Sequence, residues 1–448
     1  MRFDNLSMFR GVCQLISWAI LAVFGWGALW GPAAAAGPGD LAEDFSGRPR
    51  LRELVWRLAG WLPPADPWAA GPVKRSTTRP NPRGGALLRI SMTFDDSLSA
   101  WPSDLKLDCL GADNDVGGPK GEPSDGPNGG LGDAERSGAQ IAADARPFGG
   151  PHLEGAEADF LEACLARALE ALEAGPRVEP PKWRSLEPGL RLAKTKALYG
   201  ARLGSAEVLL IKASPVFFRL APYHEDERPE WRRRPTDVEG WFKRLDRPAA
   251  VVNGGQYFPD RSAMGLLRRD GRQLTSSRHK VWKGFLVQDP LRPERPAAAL
   301  IDEAASEAGG LSPDDYGTVV QSYMMLDRLG QVRVRRTENL ASRAVLGLDR
   351  AGDFVLVMAP GAMTLSDAAL VAKDLGLRSA LGLDGGMEAQ WAVQGARTVD
   401  VSTGHFSYNS LGPFRLQDYR PTLPTVLALE RRARPLARDG APEDSEAD

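Results

Sequence analysis

Residues 344–386 read AVLGLDRAGDFVLVMAPGAMTLSDAALVAKDLGLRSALGLDGG. Two apolar runs, 344–348 and 354–358, flank Asp349-Arg350-Ala351-Gly352-Asp353, which has the composition of a hairpin loop. After the Ala359-Pro360-Gly361 turn, Thr364 with Asp367 three residues later forms a helix-capping pattern. Leu365, Ala368, Ala369, Ala372 and Leu375 then recur at helical spacing up to Gly376 as the C-terminal stop. A last apolar run ends at Leu383-Asp384-Gly385-Gly386. The succession strand, turn, strand, helix, strand, glycine turn predicts an α/β domain of the mixed α+β kind. A mixed sheet with flanking helices is expected.

An apolar run that stops at Asp-Gly-Gly reads as a buried strand surfacing into a tight turn, because only glycine takes positive φ without steric cost. Asp384 then stands at a strand exit, where α/β proteins place catalytic groups. Asp-Gly is equally an ordinary hairpin signal. Upstream, residues 249–252 run into Asn253-Gly254-Gly255-Gln256-Tyr257-Phe258, the same strand-then-glycine logic with an amide in place of the carboxylate. Two such exits predict a shared pocket.

Four blocks in this order resemble the phosphodiester glycosidase family, the uncovering-enzyme-like domain whose bacterial members are exopolysaccharide-related. The first is Asn253-Gly254-Gly255-Gln256-Tyr257-Phe258 with Gly265 and Asp270-Gly271 after it. Gln321-Ser322 leading into Met324-Met325-Leu326 and Gly330 is the second, and Ser342-Arg343-Ala344-Val345-Leu346-Gly347-Leu348-Asp349 the third. Met363-Thr364-Leu365 through Asp384-Gly385-Gly386 is the fourth. The resemblance covers residues 178–432. This chain departs from the commoner pattern with Met387-Glu388-Ala389 after the glycines, and with Ala344 after the arginine.

What the resemblance implies is hydrolysis of a sugar-1-phosphodiester at the anomeric C1–O bond, on envelope or extracellular glycans. Such a transition state gains positive charge on the sugar while negative charge builds on the departing phosphate. It needs a carboxylate beside C1, which Asp384 or Glu388 supplies, and a guanidinium to hold two phosphate oxygens, for which Arg343 is the candidate. Asn253 suits sugar hydroxyls, while Gly254, Gly255, Gly385 and Gly386 let backbone approach a ligand. Tyr257 offers an apolar face to a sugar ring or belongs to the core, and His405 serves as an acid or base or sits in a solvated loop. The competing expectation is a non-catalytic module that binds a polysaccharide or phosphoglycan.

No cofactor is implied. Asp349, Asp353 and Asp367 read as divalent-cation ligands or, more simply, as turn and cap residues. His152, His224, His279 and His405 are scattered, with no pair at zinc spacing. A net charge of −2 over 448 residues gives no electrostatic case for nucleic acid. The expected partner is a carbohydrate or sugar phosphate.

Arg2 and Arg10 precede an apolar run from Gly11 to Trp30, followed by Pro32 and an alanine string. That pattern predicts export, with residues 1–36 as a signal peptide or a membrane anchor, and contact with a membrane only through it. Residues 37–151 read as poorly ordered apart from a short amphipathic helix at 51–61, which lies on a membrane surface or on its own protein. Residues 152–177 contain a helix with Phe160, Leu161, Cys164, Leu165, Ala168 and Leu172 on one face. An acidic disordered tail occupies 433–448. Cys109 and Cys164 remain for an exported chain, with pairing left open.

Overall fold

The computed structural model of the protein describes residues 48–80, 87–94, 104–110 and 156–436, excepting 276–277, 306–309, 336, 396–397, 410–411, 416–418 and 434–435. The export segment, the linker over 111–151 and nearly all of the acidic tail lie outside these residues. No helix among the described residues is long and apolar enough to cross a membrane.

Helix α1 (Pro49–Ala59) starts with proline in its first turn and buries Leu51, Leu54, Val55 and Leu58 on one face. Strands β1 (Val73–Pro80), β2 (Leu87–Phe94) and β3 (Asp104–Leu110) form an antiparallel sheet in sequence order. Helix α2 (Ala156–Glu173) completes this N-terminal unit. Its Leu161, Leu165 and Leu169 pack in one core with the α1 leucines and with Ile90, Met92 and Leu105 of the sheet. Burying each such side chain contributes about 2 kcal/mol, enough to hold α1 against its own chain.

Reading 37–151 as poorly ordered around a single helix missed this sheet. Ile90, Met92 and Phe94 are two residues apart, so they share one sheet face, but the run is short and flanked by polar residues, which hides the period in composition. Cys164 is a buried free thiol. The unit is tied to the rest of the protein at Ala65, whose N–H donates to Arg202 O (2.9 Å) and whose carbonyl accepts from Gly204 N–H (3.1 Å).

The larger unit opens with β4 (Arg184–Glu187), β5 (Leu190–Lys196), β6 (Glu207–Ala213) and β7 (Phe218–His224). Helices α3 (Pro229–Arg233) and α4 (Val238–Arg244) follow, then β8 (Ala250–Asn253), β9 (Leu267–Arg269) and β10 (Arg272–Gln273). Next come β11 (Gly284–Pro290), β12 (Ala298–Asp302), β13 (Tyr316–Ser322) and β14 (Met324–Leu326). β15 (Ala341–Asp349) and β16 (Phe354–Met363) lead to α5 (Leu365–Asp374) and β17 (Leu377–Gly382). The last strands are β18 (Gln390–Gln394), β19 (Val399–Thr403), β20 (Ser407–Asn409), β21 (Gly412–Phe414) and β22 (Thr425–Arg431).

Three antiparallel sheets share one core. They run β14-β17-β15-β16-β6-β5-β4, β19-β18-β8-β22-β7 and β10-β9-β13-β11-β12. Ile211, Leu346 and Leu356 of the first meet Val252 and Leu427 of the second and Leu286 of the third. Outward-facing residues are covered in turn. Val251, Val426 and Ala428 meet Trp241 of α4, while Val345, Val355 and Val357 meet Ala368, Ala369 and Ala372 of α5. The alternation of Val426, Leu427, Ala428 and Leu429 between two covered faces explains why the middle of β22 is an unbroken apolar run. This is the mixed α+β architecture that the 344–386 stretch predicts, with all named strand pairs antiparallel. The Thr364 hydroxyl accepts from Asp367 N–H (3.0 Å), and Gly376 takes φ +85° beyond the helix.

Candidate active site

The two glycine exits meet. β8 and β17 belong to different sheets, yet Asp384 N–H donates to Gly254 O (3.0 Å) and Asn253 Nδ2 donates to Asp384 O (2.8 Å). Asn253 is buried, and its Oδ1 accepts from Gln390 N–H at 3.3 Å. Its amide is therefore spent on holding the Asp384 turn, where the sequence suggested hydrogen bonds to a sugar. Gly254 likewise serves packing, since a Cβ there would lie 2.5 Å from Thr425 Cγ2. Gly255 differs, its nearest outside atom being 3.8 Å from such a Cβ, so this is the glycine of the pair whose backbone remains approachable.

Gly385 N–H donates to Asp384 Oδ1 at 3.0 Å, and a Cβ on Gly385 would fall 2.9 Å from Ser342 O. Gly386 has φ +73°, and a Cβ there would meet Ser407 Oγ at 2.4 Å and Glu388 Oε2 at 3.0 Å. Both conditions exclude any residue but glycine. The chain then makes one 3-10 turn, Gly386–Glu388, which folds the Glu388 carboxylate back over Gly386. Two acids thus stand on one short turn. Burial and the charge of Glu388 push the Asp384 carboxyl up to about 8, against the opposing hydrogen bond from Gly385. Burial raises Glu388 as well, opposed by its own backbone N–H.

Arg343 lies at a register shift in the β15–β16 pairing, and such a bulge re-aims a side chain. Its Nε donates to Met363 O (2.9 Å) and its Nη2 to Asn339 O (2.5 Å). Nη1 comes within 3.5 Å of a Cβ built on Gly385. Among the described residues no carboxylate pairs with Arg343. The guanidinium is a half-buried cation beside the acid turn with two of its three nitrogens held by backbone carbonyls, which limits the expected two-oxygen phosphate clamp. Burial lowers its pKa.

Tyr257 is half-buried and faces the acids. Its phenol is raised by burial, then by Glu388 and Asp384, while Arg261 opposes. His405 stands apart, its pKa lowered by burial and then by Arg415, with neither acid among the causes. Its N–H donates to Ser342 Oγ at 2.8 Å. The acidic residues considered for a cation are otherwise engaged. Asp349 and Asp353 pair with Lys212, and Asp367 with Arg202 at 3.4 Å. No group of three or more His, Cys, Asp or Glu able to hold a metal is present among the described residues.

Sequence reasoning overlooked Tyr323 and Ser342. The Tyr323 ring lies where a side chain on Gly382 would be, at 2.1 Å, and its hydroxyl donates to Leu383 O (3.3 Å). Burial pushes its phenol up to about 12, Arg343 opposing and Asp384 adding to the rise. Ser342 Oγ donates to Pro360 O (2.6 Å) and accepts from His405 and Phe406 N–H groups, so it fixes the loop behind Gly386. The signals were present, since Tyr323 directly follows Gln321-Ser322 and Ser342 directly precedes Arg343.

Residues 246–412 match the family model described as phosphodiester glycosidase. No curated protein sequence matches. Among solved structures, a zebrafish N-acetylglucosamine-1-phosphodiester alpha-N-acetylglucosaminidase catalytic domain, auto-inhibited by its pro-peptide, is 16% identical. It aligns with 58% of this chain and 85% of its own at a TM-score of 0.37. A hypothetical protein from Synechocystis is 13% identical over 57% of this chain and 64% of its own, with a TM-score of 0.38. A Burkholderia pseudomallei protein described as exported is 12% identical over 52% and 75%, with a TM-score of 0.30.

Proposed function

We propose that this protein hydrolyses a sugar-1-phosphodiester at the anomeric C1–O bond, with Asp384 and Glu388 as its acid pair. The observation that carries this reading is the pairing of two carboxyl groups on one turn, with Asp384 held up to about 8 by burial and by Glu388. Such a pair titrates as a unit and shares its protons unequally. The charge of Glu388 raises Asp384, while Asp384 is not among the causes acting on Glu388, so Glu388 is the group that ionises first. It faces C1 as nucleophile or as base for water, while protonated Asp384 supports the departing oxygen.

The C1–O bond breaks with its electron pair going to the phosphate oxygen, and water supplies the new hydroxyl on the sugar. Phosphate is a good leaving group, so a carboxyl near neutrality suffices as the acid. Arg343, half-buried and without a carboxylate partner among the described residues, offsets the charge that builds on phosphate. Tyr257 and the open Gly255 backbone border the sugar. The apolar N-terminal segment supports export and an envelope or extracellular glycan as substrate.

The test is hydrolysis of an aryl phosphodiester of N-acetylglucosamine in ¹⁸O-water. Label in the sugar hydroxyl is expected. Label in the phosphate means P–O cleavage and overturns the assignment, as does saturable binding without release of sugar.

A further inference from the structure

β19 is an edge strand, and its exposed flank borders two cavities. One, of about 520 Å³, is walled by Thr403, Gly404, His405, Arg415 and Tyr419. The other, of about 630 Å³, includes Lys182, Arg184, Lys194, Trp391 and Asp400. Leu209, Val401 and Ser402 line both, so the two form one groove between β19 and the β4–β6 end of the seven-stranded sheet. Each is in the range that holds a small ligand.

The near end of this groove abuts the acid turn. Gly404 N–H donates to Ala389 O (2.6 Å), and a Cβ on Gly404 would overlap Gly386 O at 2.1 Å. The end of β19 and the residues up to 405 therefore have the groove on one side and the backbone of the Asp384 turn on the other. Tyr419, on the groove wall, adds to the rise of the Tyr257 phenol, as the two acids do.

The chemistry of the walls points to an occupant. Ser402 and Thr403 offer hydroxyls, and the exposed Tyr419 both a hydroxyl and an apolar ring face, the two kinds of contact that a sugar ring makes. Glu207 is taken up by Lys194 (3.3 Å), and Glu239 by Lys243 (2.7 Å) and Arg420 (3.3 Å). At the far end, Lys182 and Arg184 form no ion pair among the described residues, against Asp400 as the unpaired acid of that cavity. The far end thus carries excess positive charge.

We propose that this groove binds an extended acidic glycan chain, continuing beyond the unit held at the Asp384 turn. The idea rests on the sugar-phosphodiester reading of that turn, and it makes the protein an enzyme that acts on a polymer. His405, which the sequence offered as a substrate-binding residue, becomes part of the groove.

The test is calorimetric titration of the full chain with a panel of uronic acid and sialic acid hexamers, with a neutral glucan hexamer as control. At least one acidic hexamer should bind at least fivefold more tightly than the neutral one, and more weakly at high salt. Ser402→Trp, which fills the waist shared by both cavities, should weaken it at least tenfold, and Arg184→Glu at least fivefold. Both variants should turn over the short aryl phosphodiester within twofold of wild type. Failure of every acidic hexamer to bind, equal binding of the neutral one, or binding indifferent to both variants overturns the groove. Loss of all aryl phosphodiester turnover in wild type instead sinks the catalytic reading and leaves the binding measurement standing.

Discussion

The Asn253 and Asp384 exits begin alike, each a buried strand running into paired glycines, and they end with opposite uses of a short polar side chain. Asn253 makes hydrogen bonds to backbone groups on both sides, so its burial is compensated. Asp384 receives one, from Gly385, and sits beside a second acid. A neutral amide can be satisfied by a fixed set of peptide groups, which makes it a brace. A carboxyl group in the same surroundings keeps its proton, which makes it reactive. The brace holds the acid, since Asn253 bonds the Asp384 carbonyl itself.

Asp384→Asn breaks the comparison most severely, by turning the second exit into a copy of the first. Turnover should fall by about 10³-fold, within the usual range for a removed acid or base. The same variant should also change stability with pH. The carboxyl rises from an unfolded value of about 3.9 to about 8 in the folded protein. Its contribution is therefore fully present below the unfolded value and is lost as pH rises towards 8. Thermal melts from pH 4 to 8 should decline more steeply in wild type than in Asp384→Asn; parallel curves would remove the shifted carboxyl from the scheme.

Glu388→Gln comes next, with a loss of about 10²-fold or more. It also takes away one of the two causes that raise Asp384, so the Asp384 pKa, followed by carboxyl carbon NMR, should fall. A resonance that titrates as in wild type would mean that the two acids are not coupled. Asn253→Ala should act through structure, leaving buried backbone groups unpaired at about 1–3 kcal/mol in denaturant unfolding. Activity should drop with it as the Asp384 turn loosens. A stable variant with only a weakened KM would restore Asn253 as a sugar ligand. The smallest effect belongs to His405→Ala, about threefold or less in turnover of the short substrate. A loss comparable to that of Glu388→Gln would make His405 an acid or base of the reaction.

Much of this site is legible because local rules fix it. The Thr364 cap, the Gly376 stop and the positive φ of Gly386 follow from spacing and residue type, and they placed helix, strand and turn correctly around Asp384. The Asn253 and Asp384 exits also suggest convergence from sequence alone, and they meet through backbone and side-chain hydrogen bonds. What misled was function read from side-chain type alone. Asn253 and Gly254 carry the residue types of ligand contacts, but the neighbours that consume them, Gln390 and Thr425, come from distant parts of the chain. The N-terminal sheet was missed for a related reason. Ile90, Met92 and Leu105 form a face only once α1 and α2 cover it.

The sequence by itself determined the elements of the 344–386 stretch, the order of the two glycine exits, and the presence of Asp384, Glu388 and Arg343 along a mixed fold. Each of these depends on interactions within a few residues, or on an order of blocks. Tertiary structure decided which polar groups are consumed and which remain available. Arg343 has two nitrogens held by backbone carbonyls, Tyr323 stacks on Gly382, and His405 faces a neighbouring groove. The carboxyl of Asp384 gains its raised pKa from desolvation and from Glu388, and desolvation is a property of the assembled sheets that surround it.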